Sequence, residues 1–302
     1  MHFQRTLRRE SGCVGIGLHS GRKVRLTLKP APADTGIVFE RLDRNHFEIP
    51  ATSEHLARLS YATCLSKGEV RIETVEHLLA ALATLGIDNA IVELDAPEVP
   101  IMDGSAAPFI YLIHEAGLRS LAKERSYLKL TRPIAVESEG RQVAAYPADS
   151  LRVSYTINFD HPLLRHQQHS LEIDESSFIE ELAPARTFGF LKDVEQLRQA
   201  GLALGGSLDN AIVLGEAGVL NNPLRFPDEF VRHKILDILG DLCLLGRPLL
   251  AHVVAVRAGH CLHTQLVRRI IESPNCWEQV SYPEPVTAAV PAAKTPVTEP
   301  VS

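Results

Sequence analysis

The sequence predicts an α+β protein built as two loosely related halves, and three observations carry that prediction. Period-two segments such as Val24-Arg25-Leu26-Thr27-Leu28 read as strands. Two longer stretches, residues 73–86 and 230–245, carry apolar side chains at helical spacing. Each half runs through strands, then a histidine-bearing helix, then an apolar strand, a repetition of plan without clear sequence identity.

Composition sets the outer limits. The 302 residues are 45% hydrophobic and 23% charged, ordinary for a globular protein. A net charge of −6 with no dominant basic stripe argues against nucleic acid as the main partner. The five cysteines are scattered and form no C-x-x-C pair, which fits free thiols in a reducing compartment. The charged start, MHFQRTLRRESG, has no apolar signal core, and no run of 18 apolar residues exists to span a membrane. The expectation is a cytoplasmic protein.

In order, residues 3 to 50 read as strands, with a turn at Pro32 to Thr35 before the strand at Gly36-Ile37-Val38-Phe39. Gly15 to Gly21 holds three glycines in seven residues, as a simple loop or a close approach of backbone to a ligand requires. Thr74 is the expected N-cap of the first helix and Gly86 its stop. The strand Asn89 to Leu94, the turn-rich connector 96–105 and a short helix over 107–116 follow. The polar residues 117–126 mark the domain boundary. Strands are expected at 127–136, 142–146, 151–159 and 251–256, and a helix over 228–245. Phe188 to Val213 reads as a strand–helix–strand insertion, either a subdomain with its own small core or a holder for a lipid chain. Residues 283–302, rich in Pro, Ala, Val and Thr, read as a disordered tail.

The chemistry concentrates on the helices. His233, Asp237 and Asp241 recur every fourth residue, so they stack along one side of a largely apolar helix. Burying them requires partners, and a metal ion would serve the first two. Solvated or paired side chains give the same spacing, so this helix alone leaves both readings open. Glu76 and His77 lie about 100° apart around their own helix and can border one site.

Taken together, Thr74-Val75-Glu76-His77-Leu78, Ala185-Arg186-Thr187-Phe188-Gly189-Phe190, His233-Lys234-Ile235-Leu236-Asp237 and Gly259-His260 closely resemble one family in order and spacing. It is the zinc-dependent UDP-3-O-acyl-N-acetylglucosamine deacetylase family of lipid A biosynthesis, and the resemblance runs from about residue 3 to 282. It implies two α+β domains, 1–124 and 125–282, each a sheet with helices, the helices sandwiched between the two sheets. It implies a catalytic zinc held by His77, His233 and Asp237, a site that iron(II) can also occupy. Glu76 matches the general base, and His260 the cationic or acidic histidine, its ring N–H accepted by Asp241. Thr187 matches the oxyanion donor, and Lys234 a group binding polar parts of the substrate.

The implied partner is a small molecule, an acylated UDP-amino sugar, met by a monomer with at most transient contact at a membrane surface. Phe159 matches the aromatic that stacks on uracil. Arg141 stands where the family usually has a lysine near the diphosphate. The resemblance assigns the insertion to the acyl chain: Phe188, Phe190, Leu191, Val194, Ala203, Gly206, Ser207, Ala211 and Val213 match the hydrophobic passage, with Leu18 and His19 near its mouth. Two rival readings remain. Two histidines and a carboxylate also form the facial triad of non-haem iron(II) oxygenases, and an inactive uridine-nucleotide binding module could keep the fold without turnover.

Overall fold

The computed structural model describes residues 2–57, 61–216, 218–221 and 223–281. The expected tail at 283–302 lies outside them. The chain is mixed α and β throughout, as expected.

In the N-terminal half, five strands form one sheet in the order Ser11–Ile16, Lys23–Pro30, Ala90–Leu94, Ile37–Arg41, Phe47–Pro50. Neighbours are antiparallel except Ile37–Arg41 beside Ala90–Leu94. Along Lys23–Pro30 the side chains of Val24, Leu26 and Leu28 are buried while Lys23 and Arg25 face water, so the period-two pattern sets which face meets the core. In the C-terminal half, Leu249–Val256 is the hub strand. It pairs antiparallel with Arg141–Pro147 and parallel with Leu151–Ile157, and its first residues run parallel to Ser126–Leu130. One face is buried and the other half-buried at His252, Val254 and Val256, and the strand is nearly all apolar.

Between these sheets lie the helices Glu76–Thr84 and Glu229–Leu242. Every residue from Glu76 to Leu82 is buried, so this helix has no solvent face. One continuous apolar core joins Leu78, Leu79 and Leu82 to Ile235, Ile238 and Leu239 and to strands of both halves. The helices touch at Gly240: a Cβ there would lie 2.0 Å from the carbonyl oxygen of Glu76. Only a residue without a side chain permits that approach.

Several boundaries differ from expectation. Thr74 is not the N-cap. It sits at φ +59°, its hydroxyl donates to Glu98 Oε1 at 2.9 Å, and Val75 starts the helix with no side-chain cap. The polar residues 117–126 contain a strand: Leu118–Glu124 pairs antiparallel with Phe3–Leu7, its Arg119, Ser120, Lys123 and Glu124 exposed. The stretch 127–136 divides into Ser126–Leu130 and Ile134–Ser138. The long helix ends at Leu242 and passes through a 3₁₀ turn to Gly246 at φ +71°. A helix that the sequence reading left out, His260–Ile271, follows the hub strand. The insertion is strand–helix–strand, with Phe188–Phe190 parallel to Ile212–Leu214 and the helix Leu191–Gln199 between them. Among the described residues, no helix is long and apolar enough to cross a membrane.

Candidate metal centre and ligand cavity

The close helix contact brings His77, on the first helix, to His233 and Asp237, one turn apart on the second. His77 Nε2 lies 3.6 Å and His233 Nε2 3.3 Å from Asp237 Oδ1. The two imidazole rings stand edge to face, 4.9 Å between centroids. All three side chains are buried. Asp237 Oδ1 has no hydrogen-bond partner, while Oδ2 accepts from Lys234 Nζ at 2.6 Å. A buried carboxylate oxygen left unpaired is expensive unless something cationic meets it. His233 Nδ1 donates to the Ala185 carbonyl at 3.0 Å, which turns the Nε2 lone pair towards Asp237. Burial pushes the His233 ring down to about 3, with Asp237 opposing, so it is neutral and able to ligate.

The set fits a tetrahedral zinc ion. Bonds of about 2.0–2.1 Å at tetrahedral angles separate neighbouring ligand atoms by roughly 3.4 Å, and the observed separations from Oδ1 bracket that value.

Around this triplet stand the other chemical groups. Glu76 is buried, and its Oε2 accepts the Thr63 backbone N–H at 3.0 Å. Burial raises its pKa, opposed mainly by His260 and His77. His260 opens the helix His260–Ile271 and puts Nε2 at 3.8 Å from Glu76 Oε1 and 3.7 Å from Asp237 Oδ2. Its Nδ1 donates to Asp241 Oδ2 at 2.9 Å. Burial opposes charge on this ring, but Asp241 and Asp237 outweigh it and push its pKa up to about 9. Asp241 also accepts from the Thr63 hydroxyl and from His263 Nδ1.

A cavity of about 870 Å³ opens over these groups. Glu76, His77, Thr187, Lys234, Asp237 and His260 line its floor. His233 and Asp241 lie behind that surface. Every residue expected to face the ligand lines it: Leu18, His19, Arg141, Phe159, Phe188, Phe190, and the insertion residues Leu191, Val194, Ala203, Gly206, Ser207, Ala211 and Val213. Phe159 packs edge to face on Phe188 at 5.9 Å. Leu197 of the insertion extends the apolar wall, together with Leu208 and Leu220, which were not singled out from the sequence.

The loop carrying Thr187 is held by residues that the sequence reading also left out of the site. Arg186 donates through Nε and Nη2 to the two oxygens of buried Glu229, at 2.8 and 3.1 Å. Glu98, buried and bonded to the backbone N–H groups of His19 and Ser20, fixes the glycine-rich loop at the mouth. Glu98 stood in the sequence as a lone acid between Pro97 and Val99, and Glu229 followed Asp228 at a helix start; neither setting names a partner.

An orphaned carboxylate oxygen between two imidazoles, with a second acid beside one of them, is a donor set able to hold a divalent metal with a general base at hand, the arrangement that metal-dependent hydrolases use. The LpxC family model, described as UDP-3-O-acyl N-acetylglycosamine deacetylase, matches residues 4–272. A protein of Pseudomonas entomophila (strain L48) is 50% identical over 291 residues, covering 95% of this chain and 96% of that one. One of Myxococcus xanthus (strain DK1622) is 51% identical over 279 residues, covering 92% and 89%. Both relatives are named UDP-3-O-acyl-N-acetylglucosamine deacetylase. The chain belongs to the UDP-3-O-acyl-N-acetylglucosamine deacetylase family.

Proposed function

We propose that this protein removes the N-acetyl group of a UDP-3-O-(3-hydroxyacyl)-N-acetylglucosamine as acetate, in the committed step of lipid A biosynthesis, with zinc held by His77, His233 and Asp237. The observation that carries the metal assignment is the unpaired Asp237 Oδ1 between two imidazole nitrogens. When bound, zinc supplies Lewis acidity, polarising the acetamide carbonyl and acidifying water.

The remaining steps belong to the chain's own side chains. Glu76, raised by burial and set beside the ligand triplet, takes the proton of the attacking water. Thr187 donates to the oxygen that becomes negative as the carbonyl carbon turns tetrahedral. The C–N bond then breaks, and the sugar nitrogen leaves as a free amine after taking a proton from His260. Asp241 keeps that ring charged. Lys234 holds polar parts of the sugar nucleotide, Phe159 stacks on uracil and Arg141 faces the diphosphate. The insertion takes the acyl chain, as the apolar side chains along its cavity wall support.

The test measures acetate release from acylated and unacylated UDP-N-acetylglucosamine, with zinc or with a chelator, under argon. Release should require the acyl chain for efficiency, stop with chelator and proceed without oxygen. Zinc-loaded protein that binds the sugar nucleotide but frees no acetate would return the reading to a binding module.

A further inference from the structure

His263 and Tyr155 are fully buried ionisable groups that the chemistry above does not use. They form a chain leading into it. Tyr155 OH lies 2.9 Å from His263 Nε2, and His263 Nδ1 lies 2.8 Å from Asp241 Oδ2. That same Oδ2 accepts from His260 Nδ1 at 2.9 Å. The chain joins three elements: the strand Leu151–Ile157, the helix His260–Ile271 and the helix Glu229–Leu242.

We propose that His263 and Tyr155 are positioning residues for the deacetylation: Tyr155 fixes the His263 ring, His263 fixes the Asp241 carboxylate, and Asp241 presents His260 to the leaving nitrogen. This rests on the reading of His260 as proton donor. Chemistry sets the direction of each bond. A carboxylate only accepts, so His263 Nδ1 must carry a proton. Burial lowers the His263 pKa and raises that of Tyr155 well above its usual value, so the ring is neutral and the phenol intact. Neutral His263 therefore accepts at Nε2, and Tyr155 O–H donates. Thr63 donates to the other oxygen, Oδ1. With both oxygens held by donors, Asp241 cannot rotate, and His260 Nδ1 meets a fixed carboxylate oxygen at 2.9 Å, with the Thr63 hydroxyl oxygen beside it at 3.1 Å. An apolar pair would fill the same volume without burying three polar groups, so packing alone does not account for them.

The experiment compares wild type, Tyr155→Phe, His263→Asn and His263→Leu for kcat, KM and zinc content, and records imidazole nitrogen NMR on the resting proteins. His263→Leu should lower kcat roughly tenfold, the upper range of one hydrogen bond, with KM and zinc content unchanged. His263→Asn puts an amide N–H near the lost Nδ1–H and should recover most of that loss. Wild-type His263 should show the Nδ1–H tautomer alone, and Tyr155→Phe the same tautomer with its Nε2 resonance shifted by loss of the phenol donor. Equal rates in His263→Leu and wild type, equal losses in His263→Leu and His263→Asn, or an Nε2–H tautomer in wild type would each overturn the proposal. Should His263→Leu not fold, Tyr155→Phe, which removes a single oxygen, and His263→Asn still decide it. A wild type that frees no acetate would refute the deacetylase reading, and the catalytic part of this proposal with it. The tautomer measurement would still decide the bonding.

Discussion

At the scale of single residues, two aspartates on one helix face have different work. Asp237 meets His77 and His233, whereas Asp241 meets only hydrogen-bond donors. Asp237→Ala should therefore lose most bound zinc, and Asp241→Ala should keep it while turning over more slowly, as metal analysis beside steady-state rates would show. Equal metal loss in both would erase the distinction. Glu76→Gln should lower kcat by a factor of roughly 10²–10⁴, the usual contribution of a general base, with substrate binding near normal by calorimetry. The pH profile follows from His260. Its pKa is raised to about 9, so the acid form prevails at neutral pH and is lost as pH rises through that value. Activity should fall along an alkaline limb, lying somewhat lower in loaded enzyme because zinc draws on the Asp237 charge. Asp241→Asn removes a cause of the upward shift, so the limb should move to lower pH. A limb that stays in place would detach His260 from Asp241. Glu76, His77, His233, Asp237 and Asp241 stood out in the sequence because the H-x-x-x-D-x-x-x-D row and the Glu-His pair are local, whereas His260 came only through the family resemblance. Thr63 and His263 were not legible there, because their link to Asp241 spans 178 and 22 residues.

At the scale of elements, the site depends on how closely two helices approach. Gly240 allows the second helix to rest on the Glu76 carbonyl, and no Cβ fits in 2.0 Å. Gly240→Ala must push the helices apart, moving His77 away from Asp237. The expected loss is about 1–3 kcal/mol of stability, the range for overpacking a core, together with weaker zinc affinity. Denaturant melts and metal competition would measure both, and a variant with native zinc affinity would show that the contact does not set the site. In sequence this glycine looks like a mild defect within a helix, because its neighbour lies far along the chain. Periodicity revealed the two ligand-bearing helices. His260–Ile271 was left out although Leu262, Leu266, Val267 and Ile270 keep helical spacing, because two histidines, His260 and His263, share its buried face. The Thr74 cap failed for a related reason: buried Glu98 takes the hydroxyl that would otherwise turn to the helix.

For the whole molecule, the halves share one apolar core, and the candidate ligands come from both. The two-half plan was visible in the order of strands, helix and strand. What joins the halves was not, since a packed interface leaves no periodicity of its own. An ion held by His77 from one half and by His233 and Asp237 from the other binds the assembled fold and not the unfolded chain. It must then stabilise the fold by mass action, by about 2.7 kcal/mol at free zinc 100-fold above its Kd. For a chain of this size that corresponds to a rise in Tm of roughly 4 °C. Calorimetry with buffered zinc and with chelator would measure it. The dependence should vanish in His77→Ala and in Asp237→Ala alike, since either loss breaks the bridge. A zinc-dependent Tm that survives in His77→Ala would mean that the metal binds within the C-terminal half alone. The assignment of ligands across the two helices would then be wrong.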